Sequence, residues 1–541
     1  MKAGIRCIEK EKEALLKYKD ELIDEYSQLF SWKNEKYKKD CCKWSGVSCD
    51  NQTNHIVELD LGFMHLRGNI SVSLLEIQHL KYLDLRENDL NYSRIPQFIS
   101  SLGDSPCPAL SFLLTTLDLS HNMFNGTMTQ CIGNLSKLKS LFLYSNNLEE
   151  IITESNFFNL SQLQVLDLSY NLAISFNISL GWNPPFQLTR VNLASSKVGP
   201  HFPSWFRTQT RLRNLDISNA EISDTFPNWF LEQIPKLSNL NVSHNNFHGV
   251  LPDLSSKSST FKSIDLSFNH FNGSLPILPP NGSVVDLSSN KISGSVTNIC
   301  NETDCYCGYL DLSNNILSEQ LSNCFLTGNI PTWVGDTWTS LVFLSLRYNE
   351  FFGSIPSHLC RLADLQVSDL SLNKISGGMP KCVNNLTAMI QVDSEFDSAF
   401  LLHYIRRFES AFVTWKGKDA EYINSLNLVM LIDLLSNNLV GDVPAEISSL
   451  VMLVGSNLSR NNLSGFLPPN IERLRSLDFL DFARNHFSGG IPTSVSQLDQ
   501  LGVLDLSYNN LSGKIPQSIH LRNPELCGLP LTKACSEDEM A

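Results

Sequence analysis

One spacing pattern, L-x-x-L-x-L-x-x-N with close variants, recurs along almost the whole chain. Most intervals between successive copies are 24 or 25 residues. Self-similarity at such a period indicates an array in which each repeat packs on its neighbours, so the core grows by stacking. A single core for 541 residues would exceed the usual size limit. The final position of the pattern occurs seventeen times, at Met64, Asn88, Asn122, Asn146, Asn171, Ser196, Ala220, Asn245, Asn269, Asn290, Asn315, Asn349, Asn373, Asn437, Asn461, Asn485 and Asn509.

Each copy predicts one coil, meaning one turn of the stacked chain. In the copy that ends at Asn171, the alternation turns Leu163, Leu166 and Leu168 inward on a short strand. The asparagine is polar but also points inward. Its amide should therefore bond main-chain groups of its own turn and of the neighbouring coil, which predicts a ladder of asparagines. The residues expected to face outward in this copy are Gln164, Val165, Asp167, Ser169 and Tyr170.

Two further motifs point to a known class of repeat. Many coils continue as L-x-G-x-I-P, as in Leu326–Pro331 and Leu511–Pro516, where glycine permits a tight turn and proline stiffens the exit. The chain begins with an amphipathic segment, Cys7–Leu22, and a cysteine-rich segment, Cys41–Asp50. Together these features resemble the plant-specific leucine-rich repeats and their N-terminal cap. The resemblance implies an α/β repeat solenoid: a plant-type superhelix with a parallel sheet on its concave face and a helical, disulfide-bonded cap.

The same resemblance implies a cysteine pairing in the cap. Cys7 would pair with Cys41, and Cys42 with Cys49, which would keep the first coil from fraying or pairing edge to edge. A zinc site is the alternative, but the closed Cys-x2-4-Cys pairs with histidine partners that such sites usually show do not occur here. At the other end of the chain, Cys527 and Cys535 predict a second stapled cap.

Two further features, an interruption of the repeat and a segment after its last coil, narrow the resemblance to plant receptor-like proteins of the kinase-lacking, pathogen-recognition type. Residues 388–427 have no repeat pattern and contain Val413–Lys418, which is similar to that family's island domain; Asn523–Leu531 is similar to its C-terminal cap. The predicted domains are a cap at 1–54, a first solenoid block at 55–387, the island at 388–427, the last four coils at 428–520, and a C-terminal cap with an acidic tail at 521–541.

Composition limits the kinds of binding partner and the cellular compartment that the sequence is compatible with. The formal net charge of −14 argues against a nucleic-acid surface, which needs a basic stripe. Clustered cysteines and many N-x-S/T sequons favour the oxidising secretory pathway, although an Asn-rich repeat produces some sequons automatically. The predicted glycosylation positions are Asn51, Asn69, Asn91, Asn125, Asn134, Asn159, Asn177, Asn241, Asn272, Asn281, Asn301, Asn385, Asn457, Asn462 and Asn510.

The targeting segments typical of the family are not visible in the sequence. No apolar run precedes Cys7, and no stretch has the roughly 18 apolar residues that a membrane span needs. We interpret both absences as truncation. The expected location is the extracellular face of the plasma membrane, with the membrane reached only through a missing C-terminal span, or the apoplast if the truncation is real.

Several features depart from the family pattern. The interval from Asn315 to Asn349 is 34 residues, which suggests that a strand segment has been lost by deletion or by an incorrect exon join. Ser368 and Ser456 occupy core leucine positions, where losing a leucine typically costs ~2 to 5 kcal/mol. For Cys300, Cys305, Cys307 and Cys324, a cross-coil disulfide with leftover thiols is favoured over a metal site.

The sequence contains no phosphate loop, no H-E-x-x-H, no G-x-S-x-G and no kinase catalytic-loop motif, so we expect neither an enzyme nor a cofactor. His244 and His248 fall in a strand-to-turn segment and are interpreted as surface histidines rather than metal ligands. Aromatic and arginine residues at outward positions are candidate ligand anchors, with ordinary solvent-facing variation as the alternative. The candidates are Tyr82, Phe142, Tyr144, Tyr170, Phe268, Phe343, Arg347, Tyr348 and Tyr508, with Trp415 and Lys416 in the island.

The resemblance implies the ligand-binding ectodomain of a cell-surface receptor-like protein. It would recognise a microbial or endogenous peptide, protein or glycan in plant defence or development. It would signal through a partner receptor kinase that has leucine-rich repeats of its own. The alternatives are a secreted inhibitor of a pathogen cell-wall-degrading enzyme, the ectodomain of a full receptor kinase, and an inert truncated paralogue. The coil number and residues 388–427 argue against the inhibitor.

Overall fold

The computed structural model describes residues 7–33, 40–90, 95–96, 113–128, 132–254, 262–278, 284–294, 296, 307–318, 329–391, 411–415, 418–422, 429–516 and 525–527. The chain divides into two compact units, Met1–His248 and Gly249–Ala541. Within each unit, short parallel strands stack in register, one strand to a coil. The predicted repeat solenoid with a parallel sheet is confirmed.

A helical cap covers the start of the first unit. Helix α1 (Glu9–Asp20) buries Ala14, Leu15 and Tyr18, and it packs on the 3₁₀ helix Val72–Glu76 of the first coil. Two short cap strands add antiparallel pairs: Leu22–Ile23 pairs with Arg67–Gly68, and Val47–Cys49 pairs with the strand of the first coil. The cap contains the disulfides Cys7–Cys41 and Cys42–Cys49, which are the pairs that the family resemblance implies. The edge of the first strand is therefore covered.

The first unit contains eight of the strands that the repeat pattern predicts. Their inward leucines and valines are buried, as Leu83, Leu117 and Val191 illustrate, with at most 1% of each exposed. Register is strict between neighbours: Leu166 lies opposite both Leu141 and Val191. The strands are β1 (Ile56–Asp60), β2 (Tyr82–Asp84), β3 (Thr116–Asp118), β4 (Ser140–Phe142), β5 (Val165–Asp167), β6 (Arg190–Asn192), β7 (Asn214–Asp216) and β8 (Asn239–Asn241).

The second unit contains the other nine predicted strands. Leu310 lies opposite Val285 and Leu344, so the inward column continues from coil to coil. The strands are β9 (Ser263–Asp265), β10 (Val284–Asp286), β11 (Tyr309–Asp311), β12 (Phe343–Ser345), β13 (Val367–Asp369), β14 (Leu431–Asp433), β15 (Gly455–Asn457), β16 (Phe479–Asp481) and β17 (Val503–Asp505).

The asparagine that ends each repeat forms the predicted ladder. Asn171 is fully buried, and its Nδ2 donates to the carbonyls of Leu143 and Leu168, each at 3.0 Å. Its Oδ1 accepts from the main-chain N–H of Leu148 at 3.1 Å. One amide thus bonds its own turn and the preceding coil, which confirms the ladder. Ser196 is a weak substitute, since its hydroxyl reaches the Leu168 carbonyl only at 3.4 Å.

The residue before the ladder position is left-handed in every one of the seventeen coils, with Tyr170 at φ 55° as an example. This turn redirects the chain toward a second series of short strands and 3₁₀ helices. The second-series strands are Asn125–Gly126, Asn147–Ile152, Ala173–Phe176, His248–Val250, His270–Ser274, Lys291–Gly294, Ile316–Leu317, Phe352–Ser354, Lys374–Gly377, Asn438–Asp442, Asn462–Ser464, Ser488–Gly489, Asn510–Lys514 and Glu525–Cys527.

The return segments are mostly 3₁₀ helices, with two short α-helices, α2 (Asn228–Leu231) and α3 (Trp333–Thr337), in the described part of the chain. Prolines precede many of these turns, as Pro203 and Pro356 do. The 3₁₀ helices are Cys41–Lys43, Val72–Glu76, Ile132–Asn134, Glu154–Phe157, Ser204–Thr208, Ile234–Lys236, Ser357–Arg361, Lys381–Asn385, Thr387–Met389, Ala445–Ser449, Ile471–Arg473 and Thr493–Gln497.

The irregular intervals do not interrupt the strand order. Across the 34-residue interval, β11 pairs directly with β12, and Asn349 Nδ2 donates to the Leu312 carbonyl at 2.9 Å. The expected missing strand therefore leaves no gap in the ladder. Across the island, β13 pairs directly with β14, and Asn437 bonds the Leu370 carbonyl at 3.0 Å. Within the island, Ala411–Trp415 and Lys418–Tyr422 form an antiparallel hairpin.

Three serines of the strand segments are buried, one against the sequence prediction and two in agreement with it. Ser169 was expected to face outward but is fully buried, and its hydroxyl is satisfied there by donating to Asp167 Oδ1 at 2.6 Å. Ser368 and Ser456 lie at inward positions, as predicted; Ser456 is opposite Ile432 and Leu480. In the described part of the chain, the Ser456 hydroxyl has no hydrogen-bond partner. Ser456 is therefore both an underfilled and a polar defect of the core.

Candidate ligand-binding surface

The outward side chains of the first four coils form a cluster of aromatic rings around one arginine. We call the set Phe63, Tyr82, Arg86, His121 and Tyr144 the N-terminal patch. Tyr82 is the first residue of β2, and Arg86 and Tyr144 follow β2 and β4 at equivalent positions of their coils. Phe63 and His121 occupy the left-handed turn position of their coils, with φ of 59° and 48°. The strand spacing and this turn together place the five side chains on one face.

Arg86 lies at the centre of the patch. Its guanidinium carbon is 5.1 Å from the centre of the Phe63 ring, within the range of a cation–π contact. Its Nε is 3.5 Å from Asp84 Oδ2, and its Nη1 is 3.7 Å from Asp118 Oδ2. The arginine is thus held between two carboxylates of neighbouring strands and presents its plane beside an exposed ring.

The tyrosines of the patch are fixed by their own contacts. The Tyr82 hydroxyl donates to Asp84 Oδ2 at 2.9 Å, and the His121 ring meets Tyr144 edge-on at 4.9 Å. Burial, with the hydrogen bond to Asp84, raises the pKa of Tyr82, and burial likewise raises the pKa of Tyr144. Both phenols therefore stay neutral. Rigid neutral aromatics beside a fixed arginine are the composition of binding hot spots.

The other candidates in the first unit lie near the patch or beyond it. Phe142 is half-buried at the last position of β4, where most other coils place an aspartate. Tyr170 is 44% exposed at the turn position of the next coil. Sequence reasoning missed Phe63, Arg86 and His121, because each looks like ordinary variation in its own repeat. Aligning successive repeats by position would have shown that they are neighbours.

In the second unit, one candidate was wrong. Phe343 was expected to be an exposed anchor, but only 1% of it is exposed. Its ring stacks on Tyr309 of the preceding strand at 4.3 Å with an interplanar angle of 7°, and the register neighbours Val284 and Val367 make the column apolar. Since a stacked ring in an apolar column is packed against its neighbours, Phe343 does not present a contact surface.

The remaining candidates of the second unit are accessible to different degrees. Arg347 is half-buried, and its Nη1 donates to Ser371 Oγ at 2.9 Å. Tyr348 is 59% exposed and Phe268 half-buried, both at the turn position. Tyr508 is 53% exposed, and the Arg484 guanidinium lies over its ring at 4.3 Å. Trp415 and Lys416 cannot be assigned to the surface, since their side chains lie outside the described residues.

A row of carboxylates runs beside these candidates at the third strand position. Asp286 lies opposite Asp311, and Asp369 lies opposite Asp433. Burial raises the pKa of three of these carboxyl groups: well above the ordinary value for Asp286 and Asp433, and to about 6 for Asp311. Neighbouring aspartates in the row add to the shifts of Asp286 and Asp433. The sequence expectation that these positions are simply solvent-facing does not hold here.

The predicted glycosylation positions differ in accessibility. The prediction of glycosylation at Asn457 is wrong. This residue is 2% exposed, and its Oδ1 accepts a hydrogen bond from the main-chain N–H of Ser459, so no glycan can be attached in the folded state. Asn125 and Asn241 are half-buried, and Asn91, Asn281 and Asn301 lie outside the described residues. Exposed positions are Asn51, Asn69, Asn134, Asn159, Asn177, Asn272, Asn385, Asn462 and Asn510.

One disulfide was not predicted. Cys360 pairs with Cys382, 22 residues later, at nearly equivalent positions of successive coils. Cys307 is a buried free thiol, and burial raises its pKa to about 12. Cys300, Cys305, Cys324 and Cys535 lie outside the described residues, so the proposed second cap pair stays a prediction. Among described residues, no helix is long and apolar enough to cross a bilayer.

Comparison with known families identifies the repeats. Residues 8–50 match the family described as leucine rich repeat N-terminal domain. Residues 113–173, and then 340–362, 476–498 and 500–521, match families described as leucine rich repeat.

Sequence relatives are plant receptor-like proteins. The chain is 35% identical to Receptor-like protein EIX2 of Solanum lycopersicum over 55% of this chain and 36% of that protein. It is 37% identical to Receptor-like protein EIX1 of the same organism over 30% of this chain and 16% of that protein. It is 26% identical to Receptor-like protein 47 of Arabidopsis thaliana over 82% of this chain and 76% of that protein. The matches thus span about a third or less of the two tomato proteins.

Solved structures share the fold. The ectodomain of the plant membrane receptor kinase GASSHO1/SCHENGEN3 from Arabidopsis thaliana, in complex with CASPARIAN STRIP INTEGRITY FACTOR 2, has a TM-score of 0.63 at 24% identity, covering 94% of this chain and 59% of that one. The plant peptide hormone receptor RGFR1 in complex with RGF2 has a TM-score of 0.55 at 24% identity, covering 90% and 84%. At this identity, the likeness shows the fold alone.

Proposed function

Since this chain is a leucine-rich-repeat protein whose sequence relatives are plant receptor-like proteins, we propose that it is a ligand-binding ectodomain of that kind. Its ligand would be a microbial or endogenous peptide, protein or glycan, in defence or development. Its outward strand face would be the binding surface. It would signal through a partner receptor kinase with its own leucine-rich repeats, at the outer face of the plasma membrane.

The N-terminal patch is the observation that carries the proposal. Its side chains come from successive coils, and the register of the strands fixes their spacing. Tyr82 and Arg86 are held by Asp84, so they lose little rotamer freedom on binding. A surface that is ordered before the ligand arrives binds with a smaller entropic cost, which distinguishes it from mobile surface aromatics.

The chemistry of the patch favours a peptide over a nucleic acid or a strongly acidic ligand. Asp84 and Asp118 each lie within 3.7 Å of the Arg86 guanidinium, and Glu87 is 3.6 Å from His121, so the positive groups are neutralised locally. The exposed features that remain are aromatic faces and the guanidinium plane. These contact peptide side chains and main-chain amides through stacking and hydrogen bonds.

Selection from a phage-displayed random peptide library on the full chain tests this assignment. A double variant, Arg86→Ala with Tyr144→Ala, is used for counter-selection, and Tyr348→Ala is the matched control on an exposed tyrosine of the second unit. We expect peptides that bind the wild-type chain and the control alike, and that lose about 100-fold in affinity on the double variant, as two hot-spot residues would require. Peptides that bind the double variant equally would place the binding surface elsewhere.

The continuous ladder bears on the alternative of an inert paralogue. The direct β11–β12 and β13–β14 pairs mean that neither irregular interval breaks the stack. This continuity supports a chain that folds and presents its surface. Measuring a single cooperative thermal transition per unit in the secreted chain would support the same conclusion, whereas recovery only as aggregate would favour the relic.

A further inference from the structure

Three potential metal-ligating side chains meet where the cap helix joins the first coil. Glu11 lies on α1, His55 lies immediately before β1, and His79 lies between the 3₁₀ helix Val72–Glu76 and β2. One ligand atom from each of the three residues lies within 4.8 Å of the other two. Their separation in the chain means that only the folded cap assembles this cluster.

Glu11 is buried and uses both carboxylate oxygens. Its side chain is 4% exposed; Oε1 lies 2.8 Å from His55 Nδ1, and Oε2 accepts from the main-chain N–H of Ile56 at 2.8 Å. Burying a carboxylate is costly unless it is paired and hydrogen-bonded. The Ile56 bond fixes the orientation of the carboxylate, as outer-shell hydrogen bonds do for carboxylate ligands of metals.

His79 has a buried ring nitrogen that the described part of the chain leaves without a hydrogen-bond partner. Its ring stacks on the His55 ring, with the centres 3.6 Å apart and an interplanar angle of 20°. Its Nδ1 is buried and has no hydrogen-bond partner among the residues that the structure describes. Leaving a buried ring nitrogen without a hydrogen-bond partner costs free energy. A cation bound between the two imidazoles and the carboxylate would satisfy it.

We propose that Glu11, His55 and His79 form a binding site for a divalent transition metal, with Zn²⁺ as the expected ion and water as the fourth ligand. Two histidines and one glutamate are a known zinc ligand set. The ion would take the place of the proton shared by His55 Nδ1 and Glu11 Oε1. Because an imidazole binds a metal through a lone pair in its ring plane, the His79 ring would turn out of its stack on His55 to place its nitrogen about 2.0 to 2.1 Å from the ion.

The site would tie three segments of the cap together. One ion would bind α1, the residue that leads into β1, and the turn that leads into β2. The Val47–Cys49 strand of the cap also pairs with β1. The cap cysteines are oxidised in two disulfides, so they do not compete as thiolate ligands. The role is structural: the ion would hold the helix on the first coil, and the proposal does not depend on the ligand-binding function.

Calorimetric titration of the metal-stripped full chain with ZnCl₂ tests the proposal. We expect saturable one-to-one binding, a rise in the melting temperature with Zn²⁺, and no effect of MgCl₂, since Mg²⁺ prefers oxygen ligands. His79→Ala removes the nitrogen that has no partner and should weaken Zn²⁺ binding about 100-fold or more. His201→Ala, on a histidine whose side chain is 78% exposed, should leave binding unchanged.

Equal Zn²⁺ binding by wild type and His79→Ala, or no saturable binding by wild type, would overturn the proposal. If His79→Ala fails to fold, X-ray absorption of the Zn²⁺-loaded wild-type chain decides. Scattering from two imidazoles and oxygen ligands supports the site, and sulfur ligands or scattering without imidazole refute it.

Discussion

At the scale of single residues, the fold depends on one buried amide in each coil. Asn245 shows how much such a residue does: its Nδ2 donates to the carbonyls of Ile217, Val242 and Ser243, and its Oδ1 accepts from two main-chain N–H groups of the preceding coil. These main-chain groups cannot pair within a strand, because the chain turns at this point. The amide therefore connects coils where the strand ladder ends.

Replacing Asn245 by alanine should destabilise the first unit by about 2 to 4 kcal/mol, because several buried main-chain groups would lose their partners at once. Chemical denaturation followed by circular dichroism measures the change. Asn246→Ala, on the exposed neighbouring residue, is the control and should change stability by about 0.5 kcal/mol or less. A loss for Asn245→Ala as small as the control's would contradict the role of the ladder.

Ser456 offers the opposite change. Ser456→Ala removes a buried hydroxyl that lacks a partner in the described chain, and should stabilise the second unit by about 1 kcal/mol. Ser456→Leu should add more, about 1 to 3 kcal/mol, if the space beside Ile432 and Leu480 accepts the side chain. Thermal unfolding measures both. Lower melting temperatures for both variants would mean that this position is already well packed.

Residues of these two kinds differ in how far sequence could predict them. The inward leucines and asparagines follow from periodicity, because one coil dictates the environment of the equivalent residue in the next. Phe343 and Arg86 could not be placed in this way. Whether an outward side chain is packed, as Phe343 is on Tyr309, or held by Asp84, as Arg86 is, depends on neighbours one coil away.

At the scale of elements, the strands of the second unit are destabilised by the desolvation of carboxylates buried at their third position. Asp286 and Asp311 are in register on β10 and β11, and both are almost fully buried. Each accepts hydrogen bonds from a serine N–H two residues later, which compensates only part of the desolvation. Asn457 occupies the same position in β15 and keeps the equivalent bond at 3.1 Å, so an amide fits this site.

Asp311→Asn should therefore stabilise the second unit at neutral pH. Because the pKa of Asp311 is raised to about 6 in the folded protein, the folded state binds more protons than the unfolded state, and stability falls as pH rises from about 4 through 6. We expect a gain of about 1 to 3 kcal/mol at pH 7.5 and little change at pH 4. Denaturation at both pH values measures it, with Asp505→Asn as the control on a half-buried carboxylate of the row. Equal stability of variant and wild type at pH 7.5 would refute the account.

Elements also show where the repeat pattern stops being informative. The strands and their number follow from the pattern, but the hairpin of Ala411–Trp415 with Lys418–Tyr422 and the disulfide Cys360–Cys382 do not. Both depend on residues that replace the repeat's usual types, so periodicity carries no information about them. The cluster of Glu11, His55 and His79 is a further case, because its members lie in three segments that only the folded cap brings together.

At the scale of the whole molecule, the stack separates what the sequence must conserve for folding from what it can vary for recognition. Inward positions are constrained by their neighbours on both sides, whereas outward positions vary more freely except where they pack on the next coil, as Phe343 does. The repeat class and the solenoid could therefore be predicted, whereas the ligand could not. The N-terminal patch takes its residues from successive coils, so a recognition surface at this scale exists only when those coils stack in register.

Hydroxyl-radical footprinting of the full chain, with and without a peptide recovered by the library selection, tests the central claim most directly. The method reads aromatic side chains individually, and Tyr170, Tyr348 and Tyr508 are exposed references outside the patch. We predict that the peptide protects Phe63, Tyr82 and Tyr144 from oxidation and leaves these references unchanged. Protection confined to the return segments, with oxidation of the patch unaltered, would contradict a binding surface on the outward strand face.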